Sequence, residues 1–393
     1  MLQPQQYSRT YSAALSKTNM VIAMFIIVNF LFSVKYLSRI SDYYILLSVV
    51  ISALYLFAIP LIQRIAARYN SRLRWVNILL LIIFLGLSSL VFEMVDVNSI
   101  NVDRWSVIST FWDEVFKGNY AYYAKSNDGN VPGPMPFYFL LAFPFYIVGE
   151  LGYFSFAGLA AFYFILRMSL STKSQTLGLI MVMCSLPYLW EIVCRSNIFL
   201  NGTIVLFTII YVLGIEKFTT ARIILAGILI GLVLSTRNVF VIPFIITFVF
   251  KIKNGNMKFL QVMAVGSIAL FCFALTFLPF VLGHWDDFLV MNPFIIQGSY
   301  FMPLHFTLLF LAASVIFGFF CKSAADVHFY SAMTLFLTIS FYLLYKTFLS
   351  GFEAAFFGIV ADISYFILCL PFAVYYYLLV NDSTQDKVAV IEH

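Results

Sequence analysis

Residues 43–62 read YYILLSVVISALYLFAIPLI, and residues 76–95 read VNILLLIIFLGLSSLVFEMV. Each run is about 20 residues long, which is what an α-helix needs to cross roughly 30 Å of hydrocarbon. A backbone in hydrocarbon must satisfy its hydrogen bonds within its own segment, so both runs are read as membrane helices. The link between them, QRIAARYNSRLRW (63–75), carries Arg64, Arg68, Arg72 and Arg74 and no acid. Such a basic link belongs on the cytoplasmic side.

Working outward, the same signal recurs at 20–37, 153–168, 176–193, 197–215, 221–236, 238–252, 259–282, 303–320, 329–348 and 363–380. The expectation is an all-α polytopic bundle of about twelve spans, forming one integral membrane domain. Composition agrees: of 393 residues, 62% are hydrophobic and 10% charged. Soluble chains run about a quarter charged. A soluble domain, a disordered chain and a nucleic-acid binder are therefore excluded. One further run, PFYFLLAFPFYIV (136–148), is short and carries a central proline. It is read as re-entrant or interfacial. With the N-terminus inside, fifteen of the 23 basic residues and five of the 18 acids fall on the inner face, a net of +10 against −5 outside. Counting 136–148 as a span would place 63–75 and KIKNGNMK (251–258) on opposite sides.

The polar start, 1–19, does not match a signal peptide and is read as a cytoplasmic tail, as is 381–393. The end of the chain shows no retention signal, which favours a bacterial inner membrane, with the chemistry on the outer side. Five cysteines and four histidines lack the spacing of a metal or redox motif. On the outer face, the longest connection is 96–152, followed by 284–302 and 350–362. A connection as long as the first is usually functional. Its Trp105, Phe111, Trp112, Val115, Phe116, Tyr120, Tyr122 and Tyr123 are read as the apolar face of helices lying at the membrane surface. The outer charges are Asp103, Arg104, Asp113, Glu114, Glu191, Arg195, Arg237, Asp286, Asp287, Lys346, Glu353 and Asp362. Carboxylates mixed with cations suit a reaction needing a base and a seat for an anionic leaving group.

Within the first connection stand Asp103, Gly118-Asn119-Tyr120-Ala121-Tyr122 and Pro134-Met135-Pro136. This order resembles the first outer loop of the GT-C superfamily of membrane glycosyltransferases, especially the polyprenol-phosphate-mannose-type mannosyltransferases. Trp285, Phe288, Asn292-Pro293 and Gln297 look like a later loop of that branch. Arg104 stands where many members carry a second acid, and Pro132-Gly133-Pro134 replaces a His-Pro-Pro step. The resemblance implies transfer of a hexose, such as mannose, from a polyprenyl-phosphate sugar to a lipid-linked glycan or other acceptor, with inversion. It gives Asp103 the role of catalytic base. Arg195 and Arg237, then Arg104 and Lys346, are the candidates for holding the donor phosphate, because guanidinium forks match phosphate oxygens. Trp105, Trp112, Tyr120, Tyr122 and Trp285 are candidates for stacking on sugar faces, and Asp113 and Asn197 complete the substrate-binding set. No cofactor is assigned beyond a candidate divalent cation. The Asp286-Asp287 pair offers oxygen ligands suited to a Mg or Mn divalent cation. The expected partners are the lipid-borne donor, the acceptor and membrane lipids, with no nucleic acid. Two other readings are an O-antigen-type polysaccharide polymerase or ligase, which calls for a late loop rich in Arg and His, and a lipid or glycan transporter, which calls for inverted repeats.

Overall fold

The computed structural model describes residues 4–68, 73–100, 102–300 and 302–391, leaving aside the side chains of 4–15, 298–300 and 383–391. Arg9, Arg72, Asp386, Lys387 and Glu392 of the inner charge set lie outside that description. In chain order the α-helices are α1 (Pro4–Leu37), α2 (Tyr44–Arg68), α3 (Leu73–Met94), α4 (Arg104–Phe116), α5 (Pro136–Val148), α6 (Gly152–Ser169), α7 (Thr172–Met183), α8 (Leu186–Val193) and α9 (Ile198–Gly214). They continue as α10 (Thr220–Leu234), α11 (Val241–Lys253), α12 (Phe259–Leu275), α13 (Leu278–Val281), α14 (Trp285–Val290), α15 (Pro293–Tyr300), α16 (Leu304–Phe320), α17 (Ala324–Ser350) and α18 (Leu370–Ile391). Both expected tails are thus helical along most of their length, continuous with the first and last apolar runs.

Each of the twelve apolar runs holds a helix, but fewer helices are long enough to cross a membrane. Among the described residues six are long and apolar enough, and up to eight spans result if each of two bent pairs is one. The chain is a polytopic helical membrane protein with six to eight candidate spans by length and composition, against the twelve apolar runs of the sequence. Several of the apolar runs hold helices too short for a full span. Helix α9 has 17 residues, about 26 Å at the usual rise. Helix α11 has 13 residues, about 20 Å at the usual rise. The run at 176–193 is broken between α7 and α8, which bend by 61°. Pro187, whose ring prevents a regular helical hydrogen bond, lies at the start of α8. Helices α5 and α6 bend by 120°, so 136–148 does not continue a straight span. Gly149, at φ 86°, ends α5 in the left-handed conformation that favours glycine.

The chain forms two compact units, Met1–Phe84 with Leu159–Leu189 and Ser323–His393, and Leu85–Gly158 with Trp190–Lys322. In the first unit, α1 packs on α2, α17 and α18, and α7 packs on α2 and α18. Two of its polar ties are the Asn29 carboxamide, which donates to Phe25 O and accepts from Leu186 N at 2.8 Å each, and the pair between Lys17 and Asp326. In the second unit α10 lies along α12, α11 along α16, and both α10 and α11 touch α9. Two lysines there satisfy helix-end carbonyls: Lys251 donates to Leu213 O and Ile215 O after α9, and Lys253 to Phe319 O and Cys321 O after α16. Cations placed this way also complement the helix dipoles.

The α10–α12 contact depends on small residues. A Cβ on Gly231 would sit 2.3 Å from Ala269 O and 2.9 Å from Cys272 Cβ. Gly227, one turn earlier, faces Ile268 and Val265 O. Two small residues four apart let membrane helices approach backbone to backbone. Gly231→Val should therefore lower stability by roughly 1–3 kcal/mol through overpacking. Thermal unfolding of the purified protein measures this, and an unchanged midpoint would refute the close approach.

Candidate functional site

The connection 96–152 is a folded module of the second unit. Helix α4 packs on α5 through a dry aromatic centre. Phe111 stacks on Phe139 at 3.7 Å and meets Phe280 edge-on at 5.1 Å. Trp112 lies 4.4 Å from Phe143 and donates its indole N–H to Phe139 O. Phe111, Trp112, Tyr120 and Tyr122 are all buried, which corrects the expectation that they coat a surface helix. Exposed Phe116 and Tyr123 fit that expectation better. Burial pushes the Tyr120 and Tyr122 phenols upward. Tyr120 Oη donates to Met291 O at 2.7 Å and Gln297 Nε2 to Gly133 O at 2.6 Å. These two bonds dock the segment after α13 on the first module. The start of α5 is anchored too: Phe137 N donates to Ser235 Oγ and Tyr138 N to Ser235 O. They satisfy backbone N–H groups that a helix start leaves without intrahelical partners.

Asp103 is half-buried at the N-cap of α4, yet its side chain makes no cap bond. Instead Oδ2 accepts from Ser126 Oγ at 2.6 Å and from Asn130 Nδ2 at 2.7 Å. A tight turn, with Gly129 N donating to Ser126 O, presents both donors. Nearby Asp128 is pushed up by burial and then by the charge of Asp103. Arg104, the next residue, points elsewhere and donates from Nη1 to Ser196 Oγ at 2.7 Å.

Ser196 belongs to the corner between α8 and α9, whose geometry is unusual. Arg195, at φ 49°, is the one described non-glycine residue with positive φ. That conformation is rarely adopted by L residues, and its guanidinium is correspondingly well held. Nη2 donates to Phe92 O and Val95 O at 2.8 and 3.0 Å, Nη1 to Val193 O at 3.2 Å, and Nε approaches Glu150 Oε1 at 3.4 Å. Arg195 thus fastens the end of α3 to this turn. The turn brings Glu191 under the start of α9, where its carboxylate accepts Phe199 N at 2.9 and 3.1 Å. Glu191 is 1% exposed, and Arg104 and Arg237 both lie within electrostatic range of it. Arg237 sits over the Tyr138 ring at 5.7 Å. Buried Asn197 lies beside the Tyr138 hydroxyl without a well-formed hydrogen bond to it.

Comparison with known protein families, with curated proteins and with solved structures finds no match for this chain.

Of the residues singled out from sequence, the second unit gathers Arg104, Asn197 and Arg237 around Glu191, with Asp103 adjoining through Arg104. Glu191 was legible only as one outer charge among many. The other candidates have different surroundings. Asp113 is exposed and accepts from the Tyr146 hydroxyl at 2.6 Å. Tyr122 Oη donates to Pro134 O at 3.3 Å. Trp105 is half-buried, and Trp285 is 62% exposed and tilted against Phe288. Lys346 belongs to the first unit, where its ammonium lies 5.9 Å from the Tyr342 ring centre. Asp287 pairs with His284 Nδ1 at 3.3 Å and contacts Tyr123. Among the described residues no three His, Cys, Asp or Glu side chains converge for a metal ion.

Proposed function

We propose that the protein is a membrane glycosyltransferase that passes a hexose from a polyprenyl-phosphate sugar to an acceptor hydroxyl on the outer side of a bacterial inner membrane, by direct displacement. The observation that carries this reading is the adjacency of two kinds of group at the first turn of α4. Asp103 is an oriented carboxylate, and Arg104 reaches into a buried cluster with Arg237 and Glu191. In this mechanism Asp103 takes the proton of the acceptor hydroxyl as its oxygen attacks the anomeric carbon. The bond from that carbon to the phosphate oxygen breaks, and the electron pair leaves with the lipid phosphate. Arg104 and Arg237 face the charge that develops there. Fixed cations in a site shielded from water stabilise such charge strongly. The acceptor is a lipid-linked glycan or another hydroxyl-bearing molecule, and the lipid chain of the donor lies in the bilayer.

The test is turnover by the purified chain in lipid vesicles supplied with polyprenyl-phosphate mannose or glucose and a lipid-linked glycan acceptor. Time-dependent release of polyprenyl phosphate is expected, and its absence with both hexoses would overturn the reading. Arg237→Ala should raise the donor KM by roughly 10–100-fold, the scale of one lost hydrogen bond to a charged group. An unchanged KM and kcat would take Arg237 out of the phosphate seat.

A further inference from the structure

Helix α9 carries a second asparagine, Asn201, one turn beyond Asn197. Asn201 is 0% exposed, and neither its amide nitrogen nor its carbonyl oxygen has a hydrogen-bond partner among the described residues. Burying a polar group without a partner is unfavourable, and native proteins rarely leave one that way without a reason. The neighbouring polar residues of the same helix do not share this state: Thr203 and Thr208 bond back to Phe199 O and Ile204 O. Asn201 N donates to Asn197 O at 3.2 Å, so the two asparagines stand one turn apart at the start of α9. Asn197 meets Tyr138, and Arg237 covers the Tyr138 ring. A guanidinium, a phenol and a carboxamide thus adjoin at the start of α9, with the second buried carboxamide one turn further along.

We propose that Asn197 and Asn201 form a recognition site for a neutral polyol ring, with each carboxamide offering a donor and an acceptor to ring hydroxyls. The start of α9 pairs a nearby cation with uncharged, hydrogen-bonding side chains. That matches the two chemistries of a sugar carried on a phosphate. The inference rests on the glycosyltransferase reading for the identity of the ligand, and it adds the residues that read the sugar. Carboxamides suit this task because they both give and accept hydrogen bonds while carrying no charge. Their unmet bonds also supply discrimination, since a ring lacking the matching hydroxyl leaves them unmet.

The probes are methyl α-mannopyranoside and methyl α-glucopyranoside, added at millimolar concentration to the full-length protein purified in detergent. A ligand that binds the folded state raises its melting temperature. At least one glycoside should raise the wild-type Tm. Asn201→Leu should raise the Tm of the sugar-free protein, because it removes a buried unmet amide, and should abolish the sugar-induced shift. Asn201→Ala serves as a second variant should leucine prevent folding, and it should likewise lose the shift. A wild-type Tm unmoved by both glycosides would overturn the inference. So would a variant that keeps the full shift. The two readings separate in Asp103→Asn, which leaves both asparagines intact. A sugar shift shown by the wild type and by Asp103→Asn but lost at Asn201, together with no turnover by the wild type itself, would sustain the sugar site and sink the transferase. Turnover unaffected by Asn201→Leu would do the reverse.

Discussion

Asp103→Asn is expected to reduce sugar transfer by roughly 10²–10⁴-fold, the usual contribution of a positioned general base, while donor KM and folding stay near wild type. The substitution preserves shape. Both groups that bind Oδ2, the Ser126 hydroxyl and the Asn130 amide, are donors, so the remaining oxygen of an asparagine can still accept from them. The new amide nitrogen then occupies the place of Oδ1. It cannot take a proton from an attacking hydroxyl. The effect should therefore fall on kcat, the signature of an interaction used only in the transition state. The rival role for Asp103 is architectural, as the tie that holds the Ser126–Asn130 turn to α4. Ser126→Ala decides between them. It weakens that tie, since Ser126 Oγ also accepts from Asn130 N, but leaves the carboxylate in place. If Asp103 acts as the base, Ser126→Ala should lose far less activity than Asp103→Asn. Equal losses in the two variants, or turnover of Asp103→Asn within about threefold of wild type, a change too small for a positioned base, would leave Asp103 a structural residue.

How much of this was legible beforehand depends on which property a residue type reports. Apolar runs report helices well, because the backbone has no other way to pair in lipid, and every one of the twelve contains a helix. They report crossings less well. The sequence of α9 is as apolar as a full span, yet its helix has only 17 residues. Proline marked some boundaries and not others: Pro187 stands at the α7–α8 break and Pro136 at the start of α5, whereas Pro60 lies inside α2 and Pro144 inside α5. Aromatic residues were ambiguous because a tyrosine in a core and one stacked on a ligand look alike in sequence. Tyr122 is fully enclosed. Arg195 and Arg237 were equivalent on paper. The structure separates them, because a positive φ at Arg195 aims its guanidinium at the carbonyls ending α3. No local motif announces that conformation. Asn201 carries a signal of its own in the sequence: a polar amide set within an apolar run.

Glu191→Ala is expected to cost roughly 3–5 kcal/mol, the range for removing one partner of a buried charge group. That is a large fraction of the 5–15 kcal/mol typical of a folded chain. Two losses combine. The Phe199 N–H, bound by both carboxylate oxygens, loses its acceptor at a helix start. Arg104 and Arg237 lose the counter-charge between them. Glu191→Gln separates the two: its amide oxygen still accepts from Phe199 N, so it should lose about half as much, by the net value of a hydrogen bond to a charged group. The counter-charge argument makes a sharper demand. If the penalty comes from cations left uncompensated, removing one of them must relieve it. Adding Arg237→Ala to Glu191→Ala should therefore recover part of the lost stability, a coupling visible in a double-mutant cycle. Unfolding midpoints of the four proteins in one detergent provide the measurement. Strict additivity would mean that Glu191 serves α9 alone and that the arginines are balanced elsewhere. Coupling of about 1 kcal/mol or more, within the range for contacting or networked residues, would establish the cluster as one electrostatic unit. A donor phosphate would then enter a site whose positive charge is already held in check until the anion arrives.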